Sequence, residues 1–166
     1  GGSQAIDTPS AYSKEAAQLL RDIGIEVERF DRYFDHEYFS SRDMSEGIYF
    51  DAPTYGKATL TPDPIQSTRH YSDQALADIT KAMPLSVEDQ QRFHVLLKGG
   101  IDYLQGMTSA ECEQLVRNTT YLDFLDRYAN QPEAVRQVLQ DSWLPMMGAG
   151  WEAISTYEAL YYGFPG

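Results

Sequence analysis

The sequence predicts a mainly α protein, an irregular helical domain with one small β-hairpin. Three observations point there. Apolar residues recur at helical spacing through most of the chain. Capping residues stand just ahead of those runs. Only two very short stretches have strand composition. With 166 residues the chain suits one domain, 1–166. A domain of this size buries roughly 70% of its unfolded surface and needs no covalent staples.

The elements follow in order. Thr8 is placed to cap a first helix, Pro9 suits its first position and Gly24 its exit. Tyr12, Ala16, Leu19, Leu20 and Ile23 then share one face. Ile25 to Phe34 reads as a second helix, with Val27, Phe30 and Phe34 inward. Gly47, Pro53, Gly56, Pro62 and Pro64 punctuate residues 35–70, where Ile48-Tyr49-Phe50 and Ala58-Thr59-Leu60 form the hairpin strands. Residues 71–82 give another helix. Ser86 with Asp89 caps the next, whose Phe93, Leu96 and Leu97 share a face until Gly99-Gly100 loosens it. Thr108 with Glu111 is a capping box. Thr120 caps a helix with Tyr121, Phe124, Leu125 and Tyr128 at i, i+3, i+4 and i+7. Pro132 opens a helix with Val135, Val138 and Leu139 inward. Gly148 and Gly150 break the chain before a last helix carrying Ile154, Tyr157 and Tyr161.

A formal net charge of −12, with only 13 Lys and Arg, opposes a nucleic-acid partner and an anionic membrane surface. No apolar run approaches the ~18 residues of a membrane span. An acidic field steers cationic ligands, and it also serves plain solubility. The single cysteine, Cys112, has no disulfide partner and reads as a buried, inert thiol.

Recognised catalytic and cofactor motifs are missing. His36, His70 and His94 lack metal-site spacing, so no metal is expected. No nucleophile elbow, phosphate loop or dinucleotide G-x-G-x-x-G occurs, and Gly148-Ala149-Gly150 is too short to count. Asp31 and Asp35, one turn apart, read as a solvated helix face. Asn118-Thr119-Thr120 matches a glycosylation sequon, although capping by Thr120 explains it equally. No residue stands out as an acid, base or nucleophile, so no catalytic residue is assigned. Two aromatic groups remain. Tyr33, Phe34, Tyr38, Phe39, Tyr49, Phe50 and Tyr55 form the first; Trp143, Trp151, Tyr157, Tyr161, Tyr162 and Phe164 form the second. Aromatic faces attract cations by roughly 0.5–2 kcal/mol per contact, and they also fill cores.

Four stretches carry a family likeness. Gly1-Gly2-Ser3-Gln4 through Pro9, with the following helix ending Leu19-Leu20-Arg21-Asp22-Ile23-Gly24-Ile25, resembles the glycine-glycine segment of flavin amine oxidases. Gly47-Ile48-Tyr49-Phe50-Asp51 with Thr54-Tyr55-Gly56 is the first further segment. Asp102-Tyr103-Leu104-Gln105-Gly106-Met107 with Thr120-Tyr121-Leu122-Asp123-Phe124-Leu125 is the second. Gly148-Ala149-Gly150 with Ala159-Leu160 and Gly163-Phe164-Pro165-Gly166 is the third. In this order they resemble the bacterial spermidine dehydrogenase-like branch of that superfamily.

The resemblance implies an inserted, substrate-side domain in a Rossmann-type enzyme whose flavin domain binds FAD mainly outside this chain. The amine carbon would pass a hydride to the flavin, which carries the redox chemistry. Residues 1–9 become a flavin-proximal segment, with Gly1, Gly2, Ser3 and Gln4 touching the cofactor. The first three residues also spell a common cloning linker, while the continuation from Gln4 to Pro9 fits the family. Tyr49, Phe50, Trp151 and Tyr157 become the substrate wall, and the partners are a small amine and the flavin domain. The fragment alone is expected to be inactive. Family members often carry an export signal, suggesting the bacterial periplasm, with the cytoplasm still open. Two alternatives stand beside this reading: a non-enzymatic helical interaction module, and the substrate domain of a flavoenzyme acting on another substrate.

Overall fold

A computed structural model describes residues 9–33, 35–65 and 71–166. The protein is mainly helical with one two-stranded antiparallel hairpin. The expected domain is itself subdivided into two compact units, Gly1–Met44 and Ser45–Gly166.

In the first unit, a 3-10 turn at Pro9–Ala11 precedes α1 (Lys14–Asp22), and α2 (Glu28–Tyr33) follows. Thr8 lies outside the described residues. The helix start nevertheless differs from the expected one: Ser13 is the N-cap of α1, its Oγ accepting from Ala16 N at 3.2 Å. A proline-led 3-10 turn thus stands where the sequence suggested the helix's own first turn. The predicted exit holds. Gly24 takes φ +79°, and Ile25 N donates to Leu20 O (2.8 Å) while Gly24 N donates to Arg21 O (3.0 Å), a Schellman closure. The apolar face of α1 is not buried: Leu19 and Ile23 are exposed, and no described residue of 9–44 is fully buried.

The second unit holds the core. Strands β1 (Gly47–Phe50) and β2 (Thr59–Pro62) pair with Ile48 opposite Thr61 and Tyr49 opposite Leu60. The period-2 pleat sends Phe50 and Thr61 inward and leaves Tyr49 and Leu60 outward, 66% and 72% exposed. Between the strands lies the one-turn helix α3 (Ala52–Tyr55), capped by Asp51 and ended by Gly56 in the left-handed region.

Helices α4 (Asp73–Ala82) and α5 (Val87–Lys98) form an antiparallel pair. Asp73, opening α4, accepts from Lys98 Nζ and pairs with His94 Nε2 at the far end of α5, both at 2.8 Å. Ser86 caps α5, which ends at Gly99. Next come α6 (Ser109–Asn118), with the Thr108–Glu111 capping box complete, and α7 (Tyr121–Arg127), capped by Thr120. α8 (Glu133–Gln140), α9 (Leu144–Met147) and α10 (Thr156–Tyr161) complete the unit. The starts of α7 and α10 are tied together. Thr120 bridges Ser155, Tyr121 N donates to Ile154 O (3.0 Å), and Thr156 N donates to Thr119 O (2.8 Å).

Phe50, Phe93, Leu96, Tyr121, Phe124, Leu125, Val135, Leu139, Trp151 and Phe164 belong to one buried cluster. Tyr161 is 71% exposed, because the short α10 turns that side to solvent and buries Thr156 and Ala159. Among the described residues no helix is long and apolar enough to cross a membrane.

Candidate functional site

The four residues expected to form a substrate wall separate by burial. Phe50 is 1% exposed and packs edge-on to Tyr55 at 4.9 Å. Trp151 is 0% exposed, edge-on to Phe164 at 4.6 Å and to Tyr121 at 5.3 Å. Its indole N–H donates to Ser142 Oγ at 3.0 Å. Both residues are core members and offer no face to a ligand in this conformation. Tyr49 and Tyr157 do reach the surface, on the hairpin and on α10. The Arg117 guanidinium of α6 covers the Tyr157 ring at 3.9 Å, so that face already holds a cation. Glu113 and Tyr157 together hold Arg117 above its ordinary pKa. Gly1, Gly2, Ser3 and Gln4 lie outside the described residues, as do Phe34 and His70. The Asp31 side chain is also outside them, so the helix face that Asp31 and Asp35 were expected to share is not described.

Of the four stretches that carry the family likeness, the three further segments converge within the second unit. Phe50 from the first, Tyr121, Phe124 and Leu125 from the second, and Phe164 from the third share one core. Tyr121 Oη donates to Pro165 O at 2.6 Å, joining the second stretch to the third. Deep burial pushes the Tyr121 phenol far above its ordinary pKa, so it is a permanent donor and not an acid. The glycines of the third stretch have mechanical reasons. Gly148 closes α9 with φ +69°, and a Cβ on Gly150 would meet Gln140 O at 3.0 Å and the Glu152 carboxylate.

Other sequence candidates resolve into structural roles. His94 pairs with Asp73. Thr120 accepts from Asp123 N at 3.2 Å, so its capping role accounts for the sequon-like stretch. Cys112 is half-buried on α6, not fully buried, because α6 buries no residue completely. Among the described residues no group of three or more His, Cys, Asp or Glu side chains could hold a metal ion.

Two concavities went unnoticed in the sequence. In the first unit, one of about 760 Å³ is lined by Tyr12, Ala17, Arg21, Ile25, Val27 and Phe30. In the second unit, a groove of about 380 Å³ is lined by Glu88, Arg92, Val95, Ile101, Tyr103 and Gln131, among others. Both volumes suit a small molecule. Their residues come from separate elements, and no local motif announces them. No family model matches the chain, and no curated protein matches it.

Proposed function

We propose that the chain is the substrate-side domain of an FAD-dependent amine dehydrogenase, acting on a polyamine such as spermidine. The observation that carries this reading is the convergence of three of the four family-like stretches. Segments separated by scores of residues supply Phe50, Tyr121, Phe124 and Phe164 to one core and are joined by the Tyr121–Pro165 hydrogen bond. A likeness spread over the frame of a unit supports kinship of the whole unit better than a likeness confined to one loop.

Two further features fit. The net charge of −12 favours a cationic amine over an anionic substrate. Apolar side chains face outward in both units: Leu19 and Ile23 on α1, Tyr49 and Leu60 on the hairpin. Surfaces of this kind suit cover by a neighbouring flavin domain. In this reading Gly1, Gly2, Ser3 and Gln4 approach the FAD, where glycine lets backbone come close to a bulky ring. The flavin accepts the hydride, and this domain positions and desolvates the amine. Tyr49 and Tyr157 remain as wall residues, while Phe50 and Trp151 support the wall from within the core.

The same outward apolar faces favour a second reading, a helical interaction module that binds another protein. Purification of the full-length gene product separates the two. The dehydrogenase reading expects a dinucleotide fingerprint upstream of Gly1 and a yellow protein that releases FAD on denaturation. A colourless product with no such fingerprint would favour the interaction module.

A further inference from the structure

We draw no further inference here: the strongest candidate, the concavity of the first unit between α1 and α2 lined by Tyr12, Ala17, Arg21, Ile25, Val27 and Phe30, carries nothing because nothing in the structure shows what covers it.

Discussion

Trp151 shows what a single residue does here. It lies fully inside the core, edge-on to Phe164 and Tyr121, with its N–H on Ser142. Truncation to alanine removes the transfer energy of the ring and leaves a cavity, so Trp151→Ala should destabilise the second unit by about 3–5 kcal/mol. Urea denaturation followed by circular dichroism measures this. A variant that unfolds at the wild-type midpoint would show that the ring is not core. The sequence alone did not separate Trp151 and Phe50 from Tyr49 and Tyr157. Aromatic spacing reports that a ring is wanted and is silent on whether it faces a ligand or a neighbour.

Among the elements, helix starts with a local capping side chain were legible. Ser86, Thr108 and Thr120 cap α5, α6 and α7 as their sequences indicate, since the bond runs only three residues along the chain. The start of α1 was misread because Pro9 suits a 3-10 turn as well as a first helical turn, and Ser13 supplies the working cap. The hairpin was legible in its strands, whereas the helical turn inside its loop was not. The α4–α5 pair carries a pH signature. Bonds from Lys98 and His94 hold the Asp73 carboxyl below its ordinary value of 3.8. A carboxyl depressed on folding contributes stability that is complete above 3.8 and is lost as pH falls through the lowered value. Asp73 is exposed, so the effect is modest and should shrink in high salt. Urea midpoints taken from roughly pH 6 down to pH 2 should therefore fall less steeply in Asp73→Asn than in wild type. Parallel curves would remove Asp73 from the account.

Across the whole molecule the two units differ in kind. The second has a continuous core, whereas no described residue of 9–44 is fully buried. A helix with an uncovered apolar face draws little stability from packing. Amide hydrogen exchange of the isolated chain should accordingly be fast in α1 and slow in α7, by orders of magnitude. Equal protection would mean that α1 is covered within the chain itself. In the full-length enzyme proposed here, protection of α1 should rise, because the proposed flavin domain would supply the missing cover.

The proposed reaction is tested most directly by an anaerobic titration of the full-length protein with spermidine, followed in the visible spectrum. The account predicts an oxidised flavin band that bleaches on adding the amine and returns when an electron acceptor is supplied. A flavin band that spermidine leaves unchanged, or no flavin band at all, would contradict it.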